Sequence, residues 1–344
     1  MRIPVEERII TGLFLCSDTP NELLRQLKGE WNEKTGLSLP EKSLMINESL
    51  ISHVFPWTEE LTEGIDHQKF CESFFIQPDL FIRLRPGYES TVKTKLLNQG
   101  LIFSEITASC LSLANASRIE NIIELDKEAV IQDYASQQTG EFFRKFELRN
   151  GLRVIKGSRQ RLKVWDCCAG SGGKSLMFYD LDPDIELTVS DIRESILVNL
   201  KKRFARAGVR NYKSFVTDLT STHLHKELLS GKSRSTSFEF IVCDAPCTGS
   251  GTWSRTPEQL YFFNEKKIDQ YSQLQKKIVS NIFPHLQRDG FLLYITCSVF
   301  RSENEEVVEF IKNNLQLELI AMKVLRGYDN KADTMFVSLF RKSS

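Results

Sequence analysis

Two cysteines stand where a thiol can meet a ligand. Cys247 follows Asp244-Ala245-Pro246 and opens the loop Thr248-Gly249-Ser250-Gly251, while Cys297 sits in Thr296-Cys297-Ser298 at the end of an apolar run. A thiolate is a nucleophile and also a soft metal ligand, so both chemistries are open to such residues. A third stretch, Val164-Trp165-Asp166-Cys167-Cys168-Ala169-Gly170-Ser171-Gly172-Gly173-Lys174-Ser175, reads as an apolar strand running into a glycine loop and then a helix. Without side chains at Gly170, Gly172 and Gly173, backbone N–H groups and the helix N-terminus can approach a nucleotide-like ligand. A phosphate-binding P-loop needs glycine where Cys168 stands, and a dinucleotide fingerprint starting at Gly170 needs one where Ser175 stands, so neither fits. What remains is an adenosine-binding loop of another kind. Asp191 comes about twenty residues later, after the strand Glu186 to Ser190, where a Rossmann-like sheet offers a carboxylate to ribose hydroxyls. Loop and acid together predict a nucleoside-type cofactor.

Strand-like runs fall near 162–167, 186–190, 213–217, 238–243 and 290–296, and amphipathic segments lie between them. Ile192, Ile196, Leu197, Leu200 and Phe204 keep helical spacing up to Gly208, and Tyr271, Leu274, Ile278 and Ile282 keep it up to Pro284. Ser302 and Glu305 read as a capping box opening a helix through Val307, Val308 and Ile311. Two last strands, near 316–325 and 334–341, have no clear helix between them and predict a terminal antiparallel hairpin. The fold class is therefore α/β, a Rossmann-like parallel sheet covered on both faces. Ligands gather at the carboxyl ends of such strands. Those ends carry the glycine loop, Asp191, Asp218, Asp244 with Cys247, and Cys297. Taken singly, Asp218 also reads as a turn cap, and Cys167, Cys168 and Cys243 as packing residues. Trp253, Arg255 and Pro257 read equally as a base-lining wall or a packed loop.

Upstream, residues 1–77 read as short helices with no evident chemistry, one of them opening at Thr19-Pro20. Residues 78–130 read as a small α+β, RRM-like module: strand Leu80 to Arg85, helix Ser90 to Asn98, strand from Leu101. Such platforms commonly contact RNA, and Arg83 and Arg85 alternate onto one strand face. The remaining residues, 131–344, form the larger domain. The chain has 344 residues, with 45 Lys+Arg against 45 Asp+Glu, so overall charge points to no partner. Two runs are purely basic: Arg153, Lys156, Arg159, Arg161 and Lys163, and then Lys201, Lys202, Arg203, Arg206, Arg210 and Lys213. Both read as phosphate-facing patches or as solvated faces. The eight cysteines lack paired Cys-x-x-Cys spacing and no histidine is locally placed to join them, so no metal is expected. The first residues include Glu6, Glu7 and Arg8 and do not read as a signal peptide. The expectation is a soluble, monomeric, cytoplasmic protein with reduced thiols.

Four motifs match a known family. Asp166 to Lys174, Asp244 to Gly251, Thr296-Cys297-Ser298 with Glu303-Asn304-Glu305, and Gln132-Asp133-Tyr134-Ala135-Ser136-Gln137 together resemble the Sun/Nop family of RNA cytosine-5 methyltransferases. The bacterial 16S ribosomal RNA members, the RsmB/RsmF group, are the most similar. The resemblance covers about 130–341, with Ser171 where the family loop usually has proline. It implies a class I methyltransferase sheet and S-adenosyl-L-methionine held by Cys168, Ala169, Gly170, Ser171, Gly172, Gly173, Lys174, Asp191, Asp218 and Asp244. It also implies a Cys297 nucleophile, with Cys247 assisting release, Asp244 at the base edge and Lys174 beside the thiol. The implied partner is RNA, ribosomal RNA first with transfer RNA as the alternative, and with an unstacked cytosine. An amino-group methyltransferase would carry a proline and an aromatic residue where Ala245 and Cys247 stand. A non-catalytic ribosome-assembly protein has no need of both cysteines, and a nucleotide hydrolase needs the absent P-loop.

Overall fold

Alternation of apolar strands with amphipathic helices builds a seven-stranded sheet in the computed structural model, which describes residues 4–46, 50–149, 161–221 and 237–343. Five strands run parallel: β5 (Lys163–Asp166), β6 (Glu186–Asp191), β7 (Tyr212–Val216), β8 (Phe238–Asp244) and β9 (Leu286–Thr296). The hairpin β10 (Leu317–Leu325) and β11 (Met335–Lys342) completes the sheet antiparallel, in the order β10-β11-β9-β8-β5-β6-β7. Upstream, β1 (Leu80–Leu84), β2 (Phe103–Thr107), β3 (Cys110–Leu113) and β4 (Ala129–Ile131) form a separate antiparallel sheet in the order β2-β3-β1-β4. Its helix α1 (Glu89–Asn98) packs Val92 and Leu96 against Ile82, Leu84 and Leu111. The sequence reading anticipates β1 and α1 within a residue or so and misses β3 and β4. The latter is only three residues long, too short to show alternation.

Both faces of the large sheet are covered, as continuous apolar strands require. Helices α2 (Gly140–Arg149), α3 (Gly173–Leu181) and α4 (Glu194–Ala207) bury Phe142, Phe143, Leu176, Phe178, Leu200 and Phe204 on one face. On the other, α5 (Lys266–Ile282) and α6 (Glu305–Leu315) bury Ile278, Val279, Ile282, Val307 and Ile311. None of the helices among the described residues is long and apolar enough to cross a membrane.

The two expected caps are corrected. Asn21, not Thr19, opens the helix Glu22–Leu27, its Oδ1 accepting from Leu24 N–H at 3.0 Å. Ser302 lies in a 3₁₀ turn, and α6 starts after Asn304 without a side-chain cap. The Asn304 side chain is spent elsewhere, accepting from Thr296 Oγ1 at 2.5 Å and donating to Ser298 O at 2.9 Å and Thr62 Oγ1 at 2.7 Å. A polar group serving the strand-end loops cannot also cap its helix.

Arg83 and Arg85 do not face solvent. Both guanidinium groups converge on Asp180 of α3, at 2.6 and 2.7 Å, and all three side chains are at most 10% exposed. Arg85 also donates to the carbonyl of Ala207 at 2.8 Å. Arg203 and Arg206 of the second basic run bond Asp126, and Lys213 bonds Glu186. Much of the apparent phosphate-facing charge is thus the bolt between the small sheet and the large one, while Lys201, Lys202 and Arg210 remain exposed. Of the first basic run, Arg153, Lys156 and Arg159 lie outside the described residues. Removing one partner of a buried ion cluster strands the others without solvent. Asp180→Ala is therefore expected to cost about 3–5 kcal/mol, read as the change in urea midpoint, whereas Lys127→Ala, an exposed i,i+3 pair, should change it negligibly.

Residues 51–75 pack against loops at the edge of the large sheet. Phe55 and Phe70 share an apolar cluster with Trp253, Val299, Phe300 and Tyr328, and Thr62 N–H donates to Val299 O at 2.8 Å.

Candidate active site

The strand-end rule concentrates the singled-out residues along one edge. After β5 the chain turns at Gly172, with φ of +84°, into α3. A Cβ there would stand 2.9 Å from both Leu200 and Phe204, so the loop can pass close over α4 only as glycine. Ser171, in the usual proline position, accepts from Arg203 Nη1 through both its carbonyl and its hydroxyl, at 3.2 and 3.0 Å. That supplies by hydrogen bonding some of the rigidity a proline ring would give.

Beside this turn lies a cleft of about 430 Å³, within the size range of small-molecule sites. Cys168, Asp191, Asp218, Asp244 and Cys247 line it, as do Cys167, Arg193 and Thr217. Ile192, Leu219, Leu274 and Ile278 give it apolar walls suited to a purine ring. Asp191 accepts from Gly170 N–H at 2.9 Å and from Arg193 N–H and Nε at 2.9 and 3.1 Å. Burial raises its pKa, but the bonds from Arg193 and Gly170 outweigh burial and hold the carboxylate below its usual value. It stays an anion that accepts, as a ribose diol requires. Asp218 accepts from Thr220 N–H and Oγ1 at 2.8 and 2.7 Å, so it is both turn cap and cleft wall. Ala169 to Gly173 form the turn beside the cleft. An apolar slot, an ionised acid at the end of β6 and a glycine turn fit a nucleoside bearing a short charged tail.

Lys174 pairs with Asp244 of the cleft wall, with Nζ 2.7 Å from Oδ2. Burial alone would depress its pKa, yet the Asp244 carboxylate, with a smaller contribution from Cys297, holds the ammonium above the ordinary lysine value. Lys174 is therefore a fixed cation bridging the carboxylate and the thiol edge.

The Sγ atoms of Cys247 and Cys297 stand 3.3 Å apart. Donating to Cys297, together with burial, pushes the Cys247 thiol well above its usual pKa. Either sulfur can donate across this contact. What holds the two loops in register is Glu303, which the sequence reading placed in a motif without assigning it a role. Its carboxylate accepts from Thr248 N–H at 2.9 Å, Thr248 Oγ1 at 2.6 Å, Ser298 Oγ at 2.6 Å and Gln275 Nε2 at 3.1 Å. Thr248 follows one cysteine and Ser298 the other, so a single buried acid ties both thiols in place. Gly251 permits the closest approach: its N–H donates to Cys297 O at 2.8 Å, and a Cβ would meet Thr334 O at 2.0 Å.

Trp253 resolves as a packed loop residue, 2% exposed among Phe55, Trp57, Phe263 and Phe300. Arg255 is held by Asp133 and Asp333 at 3.1 and 3.2 Å.

Asp166, at the end of β5, accepts from Ser175 Oγ at 2.5 Å and leaves Oδ1 buried without a partner. Burial, opposed by the Ser175 bond and aided by Asp244, pushes its carboxyl up to about 7. A raised acid binds its proton more tightly folded than unfolded, so its contribution is complete below the unfolded value and is lost as pH rises through about 7. The stability of Asp166→Asn relative to the native protein should therefore climb between pH 4 and 8, by up to about 4 kcal/mol, in urea melts at each pH. A pH-independent difference would contradict it.

Comparison with known proteins agrees with this geometry. A family model described as 16S rRNA methyltransferase RsmB/F matches residues 156–340. Ribosomal RNA small subunit methyltransferase B of Photorhabdus laumondii is 28% identical over 190 residues, 55% of this chain and 39% of that protein. Its namesake in Escherichia coli O127:H6 is 29% identical over 157 residues, 45% and 35%. The chain thus spans well under half the length of these curated relatives. A methyltransferase homolog protein from Pyrococcus horikoshii superposes with a TM-score of 0.63 at 20% identity, covering 81% of this chain and 92% of that one. NSun6 from Pyrococcus horikoshii, solved with SFG, gives 0.65 at 14% identity, covering 86% and 97%. At those identities the likeness is one of fold, and it confirms the class I methyltransferase sheet.

Proposed function

This chain belongs to the RsmB/F family of 16S rRNA methyltransferases, and we propose that it methylates carbon 5 of a cytosine in ribosomal RNA, using S-adenosyl-L-methionine. The observation that carries the reading is the pair of sulfurs 3.3 Å apart beside a nucleoside-sized cleft, with Cys247 common to both. When bound, S-adenosyl-L-methionine supplies an electrophilic methyl on a sulfonium. Cys168, Asp191, Asp218 and Asp244 would hold it, with Asp191 on the ribose.

Carbon 5 of cytosine is too electron-poor to take a methyl unaided. The Cys297 thiolate adds to ring carbon 6, its electron pair forming the S–C bond, and carbon 5 becomes enamine-like. Asp244 and the Lys174 ammonium beside it face the charge that develops on the ring. Once carbon 5 carries the methyl it still holds a proton, and that proton must leave before the S–C bond can break. Cys247 is the base. While Cys297 is free, Cys247 keeps its proton by donating to it. A Cys297 sulfur bonded to carbon 6 is a thioether and a poor acceptor, so Cys247 then ionises more readily. Its thiolate takes the carbon 5 proton, the double bond reforms and Cys297 departs as thiolate. Two free thiols require a reducing compartment, which fits a cytoplasmic enzyme. The cytosine must be unstacked, which favours a loop or single strand over continuous duplex. Residues 78–130 are proposed to contact RNA through surfaces other than Arg83 and Arg85.

The test is 16S ribosomal RNA labelled with tritium at cytosine carbon 5. Methyl transfer to that carbon releases one tritium to water per methyl incorporated. Methylation with full retention of tritium would move the chemistry to the exocyclic amine and defeat the proposal.

A further inference from the structure

Cys167 and Cys243, which the mechanism leaves unused, and Cys168 at the cleft wall have sulfurs that all lie within 4.8 Å of one another. Sheet register brings them together. Asp166 of β5 pairs with Val242 of β8, and Cys167 N–H continues the ladder to Val242 O at 2.9 Å. The next position along each strand is a cysteine, and both turn to the face packed by α5 and α6. Cys168, half-buried at the turn, closes the triangle from the cleft side, and Cys167 and Cys168 both line the cleft. Cys243 lies far along the chain, so the spacing rule that excluded a metal could not see this.

We propose that Cys167, Cys168 and Cys243 form a three-thiolate site for a zinc-type divalent cation on the floor of the cofactor cleft, and that the ion and the cleft's ligand exclude one another. Sulfurs sharing a tetrahedral zinc at about 2.3 Å stand about 3.8 Å apart, so closing the triangle asks for shifts of about 1 Å or less. Each thiol gives its proton to solvent as its sulfur bonds the ion. Three thiolates leave one net negative charge with a dication and two with a monovalent ion, and buried excess charge is costly, so the divalent ion is preferred. Cys167 and Cys168 both border the cleft and Cys243 lies behind them, so the remaining coordination position opens into it, as at zinc sites with three protein ligands. An ion there occupies the volume next to Asp191 and Asp244. The exclusion rests on reading the cleft as the methyl-donor site; the three-sulfur site itself does not.

The test uses the full chain carrying Cys247→Ser and Cys297→Ser, which removes the other close thiol pair, with cadmium as probe. One equivalent is expected to raise a sulfur-to-cadmium charge-transfer band, displaced by zinc. Cys243→Ala in that background should lose the band and bind at least about a hundredfold more weakly, more than an outer-shell partner costs, while keeping one cooperative melting transition. In calorimetry, one equivalent of zinc should weaken S-adenosyl-L-methionine binding at least tenfold in the parent and leave Cys243→Ala unaffected. No band in the folded parent, or an undiminished band in Cys243→Ala, overturns the site. Zinc bound at these thiols with donor affinity unchanged overturns the exclusion. Because the background lacks both catalytic thiols, its cadmium result is independent of whether Cys297 forms a bond to RNA.

Discussion

Cys297→Ala is expected to lower methyl transfer by on the order of 10⁴-fold or more, the scale seen when a covalent nucleophile is deleted, while donor binding changes by less than about threefold. The split follows from geometry. Cys297 is not among the residues lining the cleft, so the donor should not depend on its sulfur. The reaction does, because carbon 5 has no other source of electron density. Single-turnover rates and calorimetry on the same preparation separate the two. A variant that loses donor affinity in proportion to rate would mark Cys297 as a structural residue. One that keeps a tenth of the rate would remove it from the chemistry.

Cys247→Ala should fail in the opposite way. The first methyl is still transferred, because Cys297 is intact, but the proton on carbon 5 then has no base. The expected result is a burst of about one methyl per protein followed by arrest, with ordinary RNA remaining covalently attached through denaturing electrophoresis. Steady multiple turnover by Cys247→Ala would assign proton removal to another group. Glu303 cannot readily replace it, since four donors already engage its carboxylate.

Most of the large sheet was readable because its strands are buried on both faces and end in chemically distinctive residues. Asp191, Asp244, Cys247 and Cys297 could be placed on one edge from strand order alone. Their local geometry could not. Glu303 stood in a motif that gave it no role, although hydroxyl-rich stretches on both sides of the site, Thr248 and Ser250 against Thr296, Ser298 and Ser302, point to a shared acceptor. Arg83 and Arg85 looked like surface cations because their counter-ion, Asp180, lies more than ninety residues on. Their role is a tertiary fact, as is the meeting of Cys243 with Cys167. Ser302 looked like a cap because spacing does not reveal that Asn304 is already committed to Thr296 and Thr62. In each case the missing knowledge was a long-range partner, and local pattern rules contain none.

The most direct measurement is trapping on RNA in which the target cytosine carries fluorine at carbon 5, with S-adenosyl-L-methionine present. Fluorine cannot leave as a cation, so a ring attacked at carbon 6 and methylated at carbon 5 stays bound to its nucleophile. The account predicts a stable protein–RNA adduct whose mass gain maps to the peptide containing Cys297, abolished in Cys297→Ser and retained in Cys247→Ser. An adduct that survives Cys297→Ser, or one mapping to the Cys247 peptide, would contradict it.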